Sequence, residues 1–261
     1  MVSAWSIVFM VFSLLLSLAL VFGLYLLLRK RYGLKIIPAL VGAAVFIVFA
    51  MVLEQLLHSL VLKKAPDGSI ELLKYPLQYV LYGAFAAGIF EETGRFVAFK
   101  LLKRKFTGVS TALSYGIGHG GIEVLLLVTL LMISNIVTSI MINTGTTNLL
   151  GDTPQVVAGI EQLTTTEPWM FLMGGIERIF AMAMQISLSI IVWHSINTKG
   201  KVWLFPLAIC IHAAVDVMPA MYQCGVVPNI LLVELVTGII AAILVIFTIS
   251  AHKKFPKSST S

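Results

Sequence analysis

The chain has 261 residues, of which 59% are hydrophobic and only 11% are charged, with a formal net charge of +6. A soluble domain carries about 25% charged residues, so this composition excludes an ordinary soluble protein and indicates a membrane protein. The sequence has no internal repeat and no detachable soluble region. We therefore predict one membrane domain over residues 1–252 and a short cytoplasmic tail over residues 253–261.

Seven apolar segments are long enough to cross a bilayer, which takes about 20 helical residues. In chain order they are Ala4–Leu28, Ile36–Leu62, Tyr75–Leu102, Ser110–Asn135, Pro168–Trp193, Val202–Tyr222 and Ile230–Ser250. The first segment lacks a basic start and an A-x-A cleavage site, so we expect a retained helix rather than a signal peptide. The predicted fold is an all-α, polytopic bundle of about seven transmembrane helices in a cell membrane.

The basic residues predict how these helices are oriented. If the N-terminus lies outside, the inner loops and tail hold Arg29, Lys30, Arg31, Lys35, Lys100, Lys103, Arg104, Lys105, Lys199, Lys201, Lys253, Lys254 and Lys257. The outer loops then hold only Lys63, Lys64 and Lys74. This asymmetry follows the positive-inside rule and predicts an outer N-terminus and a cytoplasmic C-terminus. The net charge then reflects topology, so we expect the lipid bilayer as a partner and no nucleic acid.

Ionisable residues lie inside the predicted spans, where each costs roughly 2.5–3.5 kcal/mol on insertion scales. They are Glu54, His58, Glu91, Glu92, Arg95, His119, Glu123, Glu177, Arg178, His212, Asp216 and Glu234. Such residues must face one another or water, and they indicate a functional site. The paired glutamates, His119 and His212 each lie about ten residues, or about 15 Å of helix, from the cytoplasmic end of their span. We expect them at one level near mid-membrane.

Three pairs of ionisable residues share a helix face because they lie four positions apart. The pairs are Glu91 with Arg95, His119 with Glu123, and His212 with Asp216. A carboxylate beside a histidine fixes the tautomer of the ring, so each histidine is expected to be oriented by its own partner. The same spacing would pair Arg95 with Glu91 and leave Glu92 free.

Two further pairs have open interpretations. Glu54 and His58 share a face near the outer end of the second span, where they form either a second polar site or a structural pair. Glu177 and Arg178 in the fifth span form a supporting ion pair, or they close the site from that side.

Three stretches of the sequence carry a recognisable pattern: EETGR at Glu91–Arg95, YGIGH at Tyr115–His119 and HAAVD at His212–Asp216. Together they resemble the motifs of the CPBP superfamily of intramembrane proteases, which includes the type II CAAX prenyl endopeptidases. The closer resemblance is to the YhfC-like intramembrane metalloproteases, a bacterial branch with E-E-x-x-R, G-H-G-G-x-E and a later Glu-Arg pair. The resemblance covers nearly the whole chain. One departure from the superfamily is that many members place the arginine one residue later.

The resemblance implies an intramembrane endopeptidase that cleaves a membrane-associated or membrane-embedded protein or peptide. In that mechanism one glutamate activates a water as general base, and the resemblance favours Glu91 over Glu92. The two histidines would position the water or stabilise the oxyanion. Tyr115 supplies the aromatic residue of the second motif, and Arg95 would keep part of the carboxylate cluster ionised. The depth of these residues suits an inner-leaflet or membrane-embedded peptide.

Two versions of the chemistry remain open. In the first, a divalent metal such as zinc is held by His119, His212 and Glu92, because catalytic zinc sites use three such ligands and a water. In the second, no metal takes part; the H-E-x-x-H zinc motif is absent from the sequence.

Two other classes of function are compatible with charged residues in the membrane. A proton-coupled transporter would also use intramembrane Asp, Glu and His, although the sequence has no inverted repeat and no matched pair of broken helices. A non-catalytic membrane scaffold or immunity protein on a protease-like fold is the other class, although the full set of candidate residues is present. Convergence of the acids on one wet cavity open towards the inner side or laterally would favour the protease, whereas a continuous path through both faces would favour transport.

Overall fold

The computed structural model describes residues 1–65 and 68–254, with side chains described as far as Ala251. In chain order the helices are α1 Ala4–Tyr32, α2 Ile36–Val61, α3 Pro76–Leu102, α4 Val109–Thr144, α5 Pro154–Thr165, α6 Met170–Asn197, α7 Leu204–Gln223 and α8 Ile230–Lys254. No β-strand occurs in this part of the chain, which confirms the all-α prediction. The predicted tail from residue 253 lies outside the described residues, except for the backbone of Lys253 and Lys254.

Six of the helices in the described part of the chain are long and apolar enough to cross a membrane: α1, α2, α4, α6, α7 and α8. The multi-pass membrane class is therefore confirmed. Helix α3 has 27 residues but carries Glu91, Glu92 and Arg95 in its second half. Its exposed large apolar residues are mostly four positions apart: Leu77, Leu81, Phe85, Ile89, Val97 and Leu101. A seventh span and the orientation of the termini remain predictions.

Helix α4 is longer than the sequence pattern predicts. It has 36 residues and continues from the expected end at Asn135 to Thr144, because the added residues are largely apolar and contain no Gly or Pro. It ends at Gly145, whose φ of 74° forms a left-handed cap. The stretch between the fourth and fifth predicted spans contains α5, which begins after Thr153; the Thr153 hydroxyl accepts a hydrogen bond from the Val156 N–H.

The chain divides into two compact units. The first unit comprises Met1–Leu26 and Glu123–Ile179, and the second comprises Leu27–Ile122 and the chain from Phe180 onward. In the first unit, the Asn143 side chain bonds both the N–H and the carbonyl of Val2, which ties the chain start to α4. In the second unit, Phe99, Tyr115, Leu188 and Val192 belong to one fully buried core.

Small residues let helices of the second unit approach backbone to backbone. A Cβ atom added at Gly118 of α4 would lie 1.9 Å from the Ala39 carbonyl oxygen of α2, and one at Gly42 would lie 2.3 Å from the Tyr115 carbonyl oxygen. A Cβ atom at Gly88 of α3 would lie 2.9 Å from a backbone oxygen of α7. Only glycine permits these contacts, which bring α2 and α7 close to the helices that carry the candidate residues.

Candidate functional site

The Glu91 carboxylate of α3 meets side chains from three other helices of the second unit. Its Oε2 atom lies 2.9 Å from His119 Nε2 of α4 and accepts a hydrogen bond of 2.9 Å from Gln185 Nε2 of α6. His212 Nε2 of α7 lies 3.9 Å from the same oxygen. The sequence predicts that Glu91, His119 and His212 lie at the same depth in the membrane. The structure brings these three side chains together.

Glu92 forms a second, fully buried contact set beside Glu91. Its Oε1 atom lies 2.8 Å from His212 Nδ1 and 3.4 Å from Arg95 Nη1. The expected pairing of Arg95 with Glu91 is therefore wrong. Residues three positions apart also share a helix face, and Gln185 takes the place beside Glu91 that Arg95 would need. Glu91 is 7% exposed whereas Glu92 is 0% exposed, so only Glu91 is open to water.

Gln185 is a site residue that the sequence interpretation missed. Its backbone carbonyl accepts a hydrogen bond from Arg95 Nη1 at 3.3 Å, and its side-chain Oε1 accepts another from Arg95 Nη2. Because Oε1 faces Arg95, the amide nitrogen must face Glu91, and the amide orientation is fixed. The available signal was an amide side chain within a predicted span, which is uncharged and therefore less conspicuous than a glutamate.

Aromatic side chains enclose His119. The ring of Phe46 meets it edge-on with centroids 5.3 Å apart, and the ring of Tyr115 lies at 5.7 Å in a stacked arrangement. The Tyr115 hydroxyl lies 3.5 Å from His119 Nδ1, and Arg95 lies over the Tyr115 ring at 6.0 Å. His119 is fully buried, so its ring has little freedom to turn away from Glu91. We name the six residues Glu91, Glu92, Arg95, His119, Gln185 and His212 the glutamate cluster.

Asp216 extends the glutamate cluster towards a more open part of the second unit. Its Oδ2 atom lies 3.5 Å from His212 Nε2, in keeping with the expectation that it orients this histidine. The Asp216 side chain is 29% exposed, while that of His212 is 2% exposed. The histidine thus lies between buried Glu92 and partly exposed Asp216.

Glu123 has a different position from the one expected. Arg178 Nη1 donates a hydrogen bond of 3.0 Å to Glu123 Oε1, and Arg178 Nη2 bonds Glu177. These three residues, which we name the Arg178 cluster, lie in the first unit. The ring nitrogens of His119 face Glu91 and the Tyr115 hydroxyl rather than Glu123. The Glu177–Arg178 pair is thus an ion pair that also holds Glu123.

Glu54 and His58 form the pair that their spacing predicts, and Tyr82 of α3 extends it. Glu54 Oε1 lies 3.2 Å from His58 Nε2, and His58 Nδ1 lies 2.7 Å from the Tyr82 hydroxyl. Glu54 is buried, while His58 and Tyr82 are partly exposed. The result is a chain of three hydrogen-bonding groups across α2 and α3.

The predicted zinc ligands do not converge. In the described part of the chain, no group of three or more His, Cys, Asp and Glu residues is arranged to hold a metal ion. Glu92 Oε1 faces His212 Nδ1, whereas His119 Nε2 is in direct contact with Glu91. The donor types suit zinc, but His119, His212 and Glu92 as placed do not fit one ion.

Comparison with known proteins identifies relatives across nearly the whole chain. The family model described as YhfC intramembrane metalloprotease matches residues 15–237, a range that contains Glu54 and the whole glutamate cluster. The chain is 35% identical over 259 residues to "Uncharacterized membrane protein YhfC" of Bacillus subtilis (strain 168), covering 98% of this chain and 100% of that protein. No solved structure matches. The chain therefore belongs to the YhfC intramembrane metalloprotease family.

Proposed function

We propose that this protein is an intramembrane endopeptidase that hydrolyses a peptide bond of a membrane-associated or membrane-embedded protein or peptide. The observation that carries the proposal is that side chains from three helices, His119, Gln185 and His212, converge on the buried Oε2 atom of Glu91, which lies on a fourth helix. A carboxylate held beside two imidazoles supplies a general base together with oxyanion donors. The family description and the motif resemblance to the CPBP superfamily support the same reaction class.

Glu91 is the general base in this proposal. Its Oε2 atom is held by His119 and Gln185, and we assign the attacking water to the other oxygen, Oε1. Glu91 takes a proton from the water, whose oxygen bonds the scissile carbonyl carbon. The carboxylic acid of Glu91 then returns that proton to the leaving nitrogen as the C–N bond breaks. The products are a carboxyl group and an amine, so atoms and charge balance.

His212 acts on the carbonyl oxygen, His119 holds the base, and the remaining residues hold these side chains in place. Nε2 of His212 lies on the Glu91 side, where an N–H donor stabilises negative charge on the oxygen. Glu92 holds the opposite nitrogen of that ring, and Arg95 balances the charge of Glu92. Gln185 and Arg95 together fix the Glu91 carboxylate. No step passes through a metal, because the candidate ligands do not converge.

We also propose that α3 is a seventh span and that the N-terminus lies outside. The apolar stripe on its exposed face supports a lipid contact, while Glu91, Glu92 and Arg95 are buried against other helices of the second unit. A helix of 27 residues is about 40 Å long, enough to cross a hydrocarbon core of about 30 Å.

Proteomics of membrane peptides tests the protease proposal. Cells with wild-type protein should release cleavage products that are absent from cells with Glu91→Gln, which keeps the shape of the side chain but removes the base. Glu161→Gln, on the exposed face of α5, is the matched control and should behave as wild type. Identical peptide profiles for wild type and Glu91→Gln, at equal protein levels, would refute the proposed function.

A further inference from the structure

A polar cavity of about 220 Å³ lies in the second unit where α2 ends, α3 begins and α7 ends. Its wall includes His58, Tyr79, Tyr82, Gly83, Asp216 and Gln223. A cavity lined only by apolar groups stays dry, whereas a cavity lined by several hydrogen-bonding groups, as here, holds water or a polar ligand. The proposed mechanism does not use this cavity, and it needs a separate explanation.

The polar cavity adjoins the glutamate cluster through α7. Asp216 lines the cavity and lies 3.5 Å from His212 Nε2, and that nitrogen lies 3.9 Å from Glu91. Exposure falls along this path: Gln223 at the rim is exposed, the Asp216 side chain is 29% exposed and that of His212 is 2% exposed. About one helical turn of α7 separates Asp216 from His212. The cavity is therefore the open end of a polar path that leads to the base.

His58 and Tyr82 line the cavity, and both belong to the hydrogen-bonded chain that begins at Glu54. The buried Glu54 carboxylate fixes the His58 ring, and the ring holds the Tyr82 hydroxyl at 2.7 Å. An acid and a histidine within a membrane span cost insertion free energy, and such residues commonly line a pathway or a water-filled space. Tyr79 donates a hydrogen bond of 3.2 Å to Gln223 Oε1, which fixes the rim.

The cavity and the basic loops lie at opposite ends of the helices. Along α3, Tyr82 is separated from Lys100 by 18 residues, about 27 Å of helix and close to the thickness of a hydrocarbon core. At the basic end, Lys35 before α2 lies 5.3 Å from the ring centroid of Phe106, just after α3. Basic loops are cytoplasmic by the positive-inside rule, which puts the polar cavity on the outer side.

We propose that the polar cavity is the entrance and first substrate subsite of the active site, and that it binds an extended peptide segment exposed at the outer face of the membrane. This proposal rests on the protease function proposed above. The carboxylate of Asp216 and the Tyr82 hydroxyl match the N–H and carbonyl groups of an extended backbone. The cavity is smaller than the roughly 300–1,000 Å³ of pockets for whole small molecules, so it holds a short stretch of chain. The proposed substrate therefore enters from the outer face, whereas the sequence suggests an inner-leaflet or membrane-embedded peptide and a cavity open towards the inner side or laterally.

Cysteine labelling on intact cells tests which face the cavity opens to. Cys210 and Cys224 are first replaced by serine, and Gln223→Cys at the rim is compared with Lys103→Cys at the basic end; both positions are exposed. A membrane-impermeant maleimide should label Gln223→Cys before lysis and Lys103→Cys only after lysis. The reverse pattern would overturn the outer entrance. Because labelling needs no activity, it decides the face independently of the protease function.

Filling the cavity tests whether substrate passes through it. A Cβ atom at Gly83 would meet no atom within 4 Å, so larger side chains fit the α3 backbone and occupy the cavity. Gly83→Leu should raise KM at least tenfold for a peptide that the wild type cleaves. Gly159→Leu on α5, where an added Cβ atom also meets nothing within 4 Å, is the control and should stay within about twofold, and both variants should keep the wild-type melting temperature. Unchanged KM in Gly83→Leu would overturn the subsite while leaving the protease function intact. A wild type that cleaves nothing would refute the function and the subsite together.

Discussion

The glutamate cluster of the second unit and the Arg178 cluster of the first unit both place carboxylates in membrane helices, but their composition differs. Arg178 contacts Glu123 and Glu177 and so joins two acids to one permanently charged base. The glutamate cluster contains two acids, one arginine, two imidazoles and an amide, so it combines a carboxylate that can accept a proton with imidazole groups that can donate hydrogen bonds. Charge in a membrane helix alone therefore does not identify an active site; a carboxylate beside imidazole groups is the feature that does.

The two clusters also differ in access. Glu91 is linked through His212 and Asp216 to the polar cavity, which supplies a route for water and substrate. The residues of the Arg178 cluster are held by charge pairing, and that is sufficient reason for their presence in the membrane. We expect substitutions in the Arg178 cluster to change stability and substitutions in the glutamate cluster to change turnover. The predictions below follow from this contrast.

Loss of His119 should have the largest effect on turnover. His119→Ala removes the ring that holds Glu91 Oε2, so the general base loses its position and peptide cleavage should fall by roughly 10²–10³-fold. Quantitative cleavage assays on purified protein measure this effect. His194→Ala, in the same assay, is the matched control because His194 lies near the end of α6 and away from the glutamate cluster. Equal losses in the two variants would contradict a specific role for His119.

Arg178→Ala should mainly destabilise the protein. It leaves the carboxylates of Glu123 and Glu177 without their shared cation, which costs roughly 3–5 kcal/mol for a buried pair. The figure is an upper range here, because the Glu177 side chain is 35% exposed and solvent screens part of the loss. Expression level and thermal unfolding in detergent should fall, while cleavage per folded molecule stays near that of wild type. A variant of normal stability without activity would make the Arg178 cluster part of the active site.

Gln185→Met should have an intermediate effect on kcat. The substitution keeps side-chain volume but removes the hydrogen bond to Glu91 and an acceptor for Arg95. Hydrogen bonds to charged groups contribute roughly 1.5–3 kcal/mol, which corresponds to a tenfold to hundredfold loss of kcat. KM should change little, because Gln185 holds the base rather than the substrate. Gln162→Met on exposed α5 serves as the control, and an unchanged kcat in Gln185→Met would show that Glu91 needs no such support.

Asp216→Asn should have the smallest effect. An amide still hydrogen-bonds His212, so orientation of the ring is preserved and only the charge is lost. We expect a loss of cleavage of only a few-fold, compared with a larger loss for Asp216→Ala. Steady-state kinetics of both variants measure the difference. Equal and complete losses would mean that the charge of Asp216, rather than its hydrogen bond, is required.

Hydropathy and helical spacing predict much of this arrangement. Segment lengths fix the depth of each residue in the membrane, which is why Glu91, His119 and His212 could be placed at one level without a structure. Spacing of four residues likewise predicts the Glu54–His58 and His212–Asp216 contacts. Depth and face are properties of a single helix, so a single sequence carries them.

Choices between competing partners are not encoded in one helix. Arg95 has a carboxylate three positions before it and another four positions before it, and Gln185 from α6 decides between them. Glu123 shares a face with His119, but Arg178, 55 residues further along the chain, provides a full charge partner. Gln185 itself was missed because an amide is far less costly in the membrane than an ion. These contacts depend on how helices pack, which local spacing does not determine.

The most direct test of the account compares one substitution from each cluster in a single cleavage assay. Glu91→Gln and Glu123→Gln each replace one buried carboxylate by an amide of the same shape, and both proteins are reconstituted in liposomes at equal folded amounts. The account predicts that Glu91→Gln loses roughly 10²–10⁴-fold in peptide cleavage, as expected for removal of a general base, while Glu123→Gln stays within a few-fold of wild type. Full proteolysis by Glu91→Gln would contradict the central claim. If no protein cleaves any peptide, but proton flux across the liposomes is lower with Glu91→Gln than with wild type, the protein is instead a proton carrier.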